Sequence, residues 1–158
     1  MTVTAPIETQ PALSLTRQFD APIDQVFDAW TNPEVIARWF GPEGFKVVNK
    51  HIELHVGGKY QIDILSPNDE VIKHFGEYVE ITPPIKLVFT WKLENQACEG
   101  SKGQSANTLV SISFFSHGEE TELHLVHEQL PDKAAYDGHS FGWNSSFDSL
   151  SQLLSNTI

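Results

Sequence analysis

Apolar and polar side chains alternate along much of the chain, which is the period of β-strands that bury one face. The first alternation is carried by Leu13, Leu15 and Phe19 and predicts a strand over residues 13–19. Similar patterns predict six more strands, over residues 45–56, 60–64, 71–81, 85–93, 106–115 and 121–128. The chain should therefore fold around a sheet of about seven strands.

The second predicted strand is followed by a glycine pair that predicts a turn. Val48, Ile52, Leu54 and Val56 are predicted to lie mostly on one face, toward the core. Gly57-Gly58 follows directly and is typical of a tight hairpin turn, because glycine adopts the backbone angles that such turns require. Antiparallel pairing with the next strand is the expected result.

Two short helices are predicted between the first and second strands. Apolar residues at 23, 26, 27 and 30 form one helical stripe, which predicts a helix over residues 23–31. Asn32 is a good N-cap and Pro33 suits the first helical position, so a second helix should begin there. It should end near Gly41-Pro42.

A long helix is predicted at the C-terminal end, from a cap at Asp132 to about Ser155. Its apolar stripe consists of Trp143, Phe147, Leu150 and Leu154. Gly138 and Gly142 lie in its first half, where we expect either close packing or the mouth of a cavity.

The predicted order is strand, two short helices, six strands and a long helix, which gives an α+β fold. We expect a helix-grip arrangement, in which a curved antiparallel sheet wraps around the C-terminal helix. The length of 158 residues suits one domain, here residues 13–158, preceded by a loose Thr/Pro-rich tail over residues 1–12.

A curved sheet and a single helix rarely fill the space between them, so we expect a cavity with mostly apolar walls. Such a cavity would bind a hydrophobic small molecule, either lipid-like or aromatic. The residues predicted to line it are Phe40, Tyr60, Ile62, Phe75, Phe89, Trp91, Ile112, Phe114, Leu125, His127, Trp143, Phe147 and Leu150.

Charge and composition restrict the classes of partner that we expect this protein to bind. The net charge of −11 argues against nucleic acid and against anionic membrane surfaces, which both attract clustered lysine and arginine. The sequence contains no apolar run of ~20 residues for membrane insertion and no secretory signal. The single cysteine, Cys98, allows no internal disulfide, so we expect a cytoplasmic protein.

Few residues are candidates for chemistry. His51, Glu53 and His55 would share one face of a strand and could ligate zinc, but we expect that face to be in water and no metal or other cofactor to bind. His127 should point inward, either as a core histidine with satisfied hydrogen bonds or as an acid/base group. We find no catalytic motif and therefore expect binding rather than catalysis.

Several segments resemble one family when they are taken in order. The chain is similar to the activator of Hsp90 ATPase-like family from about Leu13 to Leu154. The segments that carry the resemblance are residues 17–22, 26–34, 38–42, 57–60, 76–81, 83–84, 87–91, 121–127 and 142–143. This resemblance implies the START-like, birch-pollen-allergen-like superfamily, whose helix-grip members include lipid carriers and polyketide cyclases.

Two alternatives follow from the same resemblance. A polyketide-cyclase-like enzyme would use His127 and Tyr60 to move protons in the cavity. A chaperone-interacting domain is implied by the family name, but the eponymous activators make much of this contact through a separate N-terminal domain. Only residues 1–12 precede the first strand here, so we expect no chaperone partner. A homodimer is compatible with the sequence.

Overall fold

Seven antiparallel strands form one open sheet with the order β1-β7-β6-β5-β4-β3-β2. The computed structural model describes residues 12–95, 108–130 and 133–155. The strands are β1 (Leu13–Phe19), β2 (Lys46–Ile52), β3 (Lys59–Leu65), β4 (Val71–Thr82), β5 (Lys86–Asn95), β6 (Thr108–His117) and β7 (Glu120–Glu128). The first strand in the chain, β1, pairs with the last, β7. The edges of the sheet are therefore β1 and β2.

Three helices complete the fold and confirm the predicted architecture. The helices are α1 (Ile23–Thr31), α2 (Pro33–Trp39) and α3 (Lys133–Ser155). The Asn32 side chain accepts a hydrogen bond from the Glu34 backbone N–H at 3.0 Å, as an N-cap does. The predicted cap at Asp132 and the loop that holds Cys98 lie outside the described residues.

The connection between β2 and β3 differs from the predicted tight turn. β2 ends at Ile52, four residues earlier than predicted, and the chain folds back on itself before β3 begins. The Gly58 N–H donates to the His55 carbonyl at 2.7 Å, and a Cβ on Gly58 would lie 2.1 Å from the carbonyl oxygen of Glu53. Gly58 is thus required by close backbone contact inside a wider loop.

The aliphatic residues of this region are not in the core, which corrects the prediction for three of them. Val48 is 47% exposed, Leu54 45% and Val56 63%, whereas Ile52 is half-buried. Val48 lies on an edge strand, and Leu54 and Val56 belong to the loop that follows it, where the strand alternation has ended.

A close contact between β4 and β5 shapes the middle of the sheet. A Cβ on Gly76 would lie 2.0 Å from the Thr90 carbonyl oxygen, so only glycine fits there. That carbonyl also accepts a 2.6 Å hydrogen bond from the Tyr60 hydroxyl. The register shifts between Tyr78 and Glu80, and such a bulge bends a strand and increases its twist.

Candidate ligand-binding cavity

A cavity of about 310 Å³ lies between the first half of α3, strands β3 to β5, and the loop that joins α2 to β2. This volume is in the range of small-molecule sites. The residues that line this outer chamber are Phe40, Gly41, Pro42, Phe45, Ile64, Ile72, His74, Trp91, Leu93, Ala135, Gly138, His139, Gly142, Trp143 and Ser146. Most are apolar or aromatic, and none carries a formal charge at neutral pH when histidine is neutral.

A smaller void of about 30 Å³, the inner chamber, shares the side chains of Phe40, Trp91 and Trp143 with the outer chamber. It has room for roughly one water molecule. Its remaining lining residues are Trp30, Ile36, Trp39, Tyr60, Ile62, Tyr78 and Phe89. All four tryptophans of the chain therefore meet at this part of the core.

The indole of Trp143 is held by a buried histidine. Its Nε1–H donates to His127 Nδ1 at 3.1 Å, and His127 Nε2 lies 2.7 Å from Thr108 Oγ1. The Thr108 hydroxyl donates in turn to the Trp91 carbonyl at 2.9 Å. This network assigns the proton to Nε2 of His127. Burial, with a contribution from nearby His139, lowers the pKa of His127 to about 3.

The indole of Trp91 is held in the same way by a second histidine. Its Nε1–H donates to His139 Nε2 at 3.1 Å. His139 Nδ1 lies 2.8 Å from the Ala135 carbonyl, an acceptor, so the proton of this ring is assigned to Nδ1. Burial lowers the pKa of His139, although the hydrogen bond to Ala135 opposes the shift. His139 is therefore neutral at pH 7.

Two buried polar atoms in the chamber walls have no hydrogen-bond partner among the described residues. They are Nε1 of Trp30 and Nδ1 of His74. The His74 ring packs against Phe40 and Trp91, with ring centroids 5.1 and 5.0 Å away. Burial lowers the pKa of His74 to about 4, so its imidazole is also neutral at pH 7.

The rim of the outer chamber is built from α3 and from the loop after α2. The Gly41 N–H donates to Ser146 Oγ at 3.1 Å, and the Glu43 N–H donates to Ser145 Oγ at 2.9 Å. A Cβ on Gly142 would meet no atom within 4 Å, and the same holds for Gly138. Of the two outcomes expected for these glycines, the structure shows open space rather than close packing.

The structure divides the predicted lining residues between two parts of the core. Those at a chamber wall are Phe40, Tyr60, Ile62, Phe89, Trp91 and Trp143. Those that are buried but line neither chamber are Ile112, Phe114, Leu125, His127, Phe147 and Leu150. The second group lies toward β6, β7 and the end of α3, where the core is filled; Phe147, for example, packs edge-on against Phe19 at 6.0 Å.

Phe75 is on the wrong face, which corrects its prediction. Across the sheet it is paired with Gln61 and Lys92, and it is only half-buried. Its neighbour His74 takes the inward position instead, paired with Ile62. The apolar character of Phe75 suggested the opposite phase for this part of β4.

Sequence reasoning also missed His74 and His139 as wall residues. His139 lies one helical turn before Trp143, on the face of α3 that was predicted to be buried, so helical spacing could have identified it. No comparable signal marked His74, because a histidine next to a phenylalanine gives no reason to place the phenylalanine outside.

The candidate metal ligands lie on the surface. His51 Nε2 and Glu53 Oε2 are 3.2 Å apart, and both side chains are exposed, as is His55. Across residues 12–95, 108–130 and 133–155, no three His, Cys, Asp or Glu side chains are placed to hold a metal ion together. Within the same ranges, no helix combines the length and apolarity needed to cross a membrane.

Comparison with known proteins identifies relatives of the whole chain. The sequence profile of the activator of Hsp90 ATPase homolog 1-like proteins matches residues 20–155. A protein from Chromobacterium violaceum is similar in structure, with a TM-score of 0.77 and 24% identity over 90% of this chain and 96% of that one. No curated protein matches the chain.

Two further solved structures show the same fold. The AHSA1 protein from Silicibacter pomeroyi has a TM-score of 0.78 and 24% identity, covering 92% of this chain and 98% of its own. The solution structure of a protein from Arthrobacter aurescens has a TM-score of 0.80 and 17% identity, covering 96% and 93%. The seven-stranded sheet and its gripped helix are thus shared over nearly the full length.

Proposed function

Because the chain belongs to the activator of Hsp90 ATPase homolog 1-like family, whose fold binds hydrophobic ligands, we propose that it binds an apolar small molecule. The ligand would occupy the outer chamber, between α3 and strands β3 to β5. The observation that carries the proposal is the open volume of about 310 Å³ with apolar and aromatic walls.

The size of the chamber limits the ligand. An apolar cavity of ~150 Å³ can hold benzene, so about twice that volume suits a compound of two fused rings or a similar bulk. Removing such a compound from water is favourable in proportion to its apolar area. The open space beside Gly138, which is exposed, gives a route by which it could enter.

Simple binding has more support than catalysis of the polyketide-cyclase type. Both ring nitrogens of His127 are engaged by Trp143 and Thr108, and the Tyr60 hydroxyl donates to a backbone carbonyl. His74 is the observation that favours an enzyme, since it lines the chamber with a pKa of about 4. A base this weak is poorly matched to neutral pH, where a pKa near 7 serves best.

The decisive experiment fills the chamber. In Gly142→Leu the new side chain enters open space, and leucine favours a helix over glycine by ~1 kcal/mol, so the variant should be folded and at least as stable as the wild type. Naphthalene binding, measured by ligand-observed NMR and calorimetry, should be present in the wild type and lost in Gly142→Leu.

The matched control is Ala134→Leu, which adds leucine to an exposed position of the same helix that lines neither chamber. It should bind naphthalene as the wild type does. If the wild type binds no naphthalene or comparable apolar compound, or if Gly142→Leu binds it unchanged, the proposed site is wrong.

A further inference from the structure

We infer that the outer chamber selects uncharged aromatic compounds and rejects their carboxylates, so that its ligand is a neutral ring compound and not a fatty acid. This inference rests on the proposed function and names the ligand class for the same site. It follows from three features of the walls: their lack of charge, the way their polar hydrogens are used, and the arrangement of their rings.

The first feature is the absence of charge around both chambers. Neither chamber has an Asp, Glu, Lys or Arg among its lining residues. The titratable wall residues are His74, His139, Tyr60 and Tyr78, and burial lowers the pKa of the histidines and raises that of the tyrosines. Every wall group is therefore neutral at pH 7, and a ligand carboxylate would find no counter-ion.

The titratable groups packed against these walls do not favour an anion either. Asp63 acts on His74 from the β3 side, where it accepts hydrogen bonds from Asn49 and Gln61. Behind the wall, His127 is neutral and engaged with Trp143. The chain as a whole carries a net charge of −11, so an anionic ligand is also repelled as it approaches.

The second feature is that three of the four indole donors around the two chambers are already used; Nε1 of Trp30, at the inner chamber, has no partner among the described residues. The N–H groups of Trp91 and Trp143 donate to histidines, and that of Trp39 donates to a backbone carbonyl at 2.9 Å. A buried carboxylate needs several donors to offset its lost hydration. The outer chamber, which Trp91 and Trp143 line, therefore offers a carboxylate no free indole N–H, and Nδ1 of His74 alone would not supply the several donors that it needs.

The third feature is the ring arrangement. The ring centroids of Trp91 and Trp143 are 4.9 Å apart, and that of Phe40 is 5.9 Å from Trp91. Aromatic pairs at such separations, offset or edge-to-face, gain energy beyond simple area burial. A flat ring can join this cluster, whereas a flexible alkyl chain gains only burial and loses more rotational freedom.

The test compares four probes on the wild-type protein by calorimetry: methyl 2-naphthoate, 2-naphthoate, methyl decanoate and decanoate. We expect methyl 2-naphthoate to bind most tightly and 2-naphthoate to bind at least ~100-fold more weakly at pH 7.5. Aromatic carboxylic acids ionise with a pKa near ~4. If only the neutral acid binds, its apparent affinity should rise about ten-fold from pH 7.5 to pH 6.5, while that of the ester stays constant.

A charge added to the wall should weaken the selection against carboxylates. Ile72 lines the outer chamber and is half-buried, so a lysine there can reach it with its ammonium group. In Ile72→Lys we expect 2-naphthoate to bind at least ~10-fold more tightly than to the wild type. The matched control Ile72→Gln, which has similar length but no charge, should not show this gain.

The outcomes separate the two proposals. If 2-naphthoate binds as tightly as its ester at pH 7.5, or its affinity does not change with pH, selection against charge is refuted while binding in the cavity stands. If methyl decanoate binds as tightly as methyl 2-naphthoate, selection for aromatic rings is refuted. If neither ester binds, the proposed function is wrong, and this inference is wrong with it.

Discussion

Acid should destabilise this protein through its buried histidines, and the direction follows from their pKa values. His127 and His74 have folded-state pKa values of about 3 and about 4, against 6.5 for an ordinary histidine. Between these values the unfolded chain binds more protons than the folded one. The contribution of the two histidines to the free energy of unfolding is therefore complete above pH 6.5. It is lost as the pH falls from 6.5 toward their folded-state pKa values.

At pH 4.5 this loss of unfolding free energy is substantial. Each unfolded histidine gains about 3 kcal/mol from protonation two pH units below its pKa. In the folded state His127 gains almost nothing at this pH and His74 very little. The two together should lower the free energy of unfolding by about 5 kcal/mol, which is comparable with the whole stability of a small domain.

Urea unfolding at pH 7.0 and pH 4.5, followed by tryptophan fluorescence, measures this loss. In His127→Gln the loss of unfolding free energy between pH 7.0 and pH 4.5 should shrink by about 3 kcal/mol, even though the variant is less stable at pH 7.0. Leu150→Ala is the control, because Leu150 is buried but does not titrate: it should lower stability at both pH values and leave the pH difference unchanged. A pH difference equal in His127→Gln and the wild type would refute the reasoning.

Three further predictions concern stability and are measured by urea unfolding at pH 7.0. Gly76→Ala should cost more than ~2 kcal/mol, because the new Cβ would lie 2.0 Å from the Thr90 carbonyl oxygen; no loss would contradict that close approach. Thr108→Val should cost about 1–3 kcal/mol by leaving Nε2–H of His127 without its acceptor, and Thr108→Ser should recover most of it. Gly138→Ala should stabilise α3 by up to ~1 kcal/mol, because its Cβ enters open space; destabilisation would mean that the space is filled.

Much of the fold could be predicted from the sequence because burial imposes a period on it. In α3, Trp143, Phe147, Leu150 and Leu154 are all buried, as their spacing predicted. The same logic placed the alternating residues of β7 correctly, since Leu123 and its neighbours at every second position face the core. Such patterns show which face of a helix or strand is buried.

The site was harder to predict because periodicity does not tell a filled core from a cavity wall. Leu125 and Trp91 are both buried and both follow the period of their strands, yet only Trp91 borders open space. Phase also fails where a strand is irregular, as in β4, which has a bulge and in which Phe75 lies on the outer face and His74 on the inner one. Hydrogen bonds between distant residues, such as Trp91 with His139, leave no local pattern at all.

His127 and His139, the two buried histidines that accept hydrogen bonds from indoles, bear on how readily this fold could gain a catalytic group. Their rings are 4.7 Å apart, yet they hold their protons on different nitrogens, because each lone pair is already occupied by an indole. The two indole N–H groups thus occupy the histidine lone pairs that could otherwise accept a proton from a ligand. Replacing the indole of Trp143 by phenylalanine would free the Nδ1 lone pair of His127 and enlarge the space beside it. One substitution would therefore add a second unpartnered imidazole nitrogen to the one that His74 already carries.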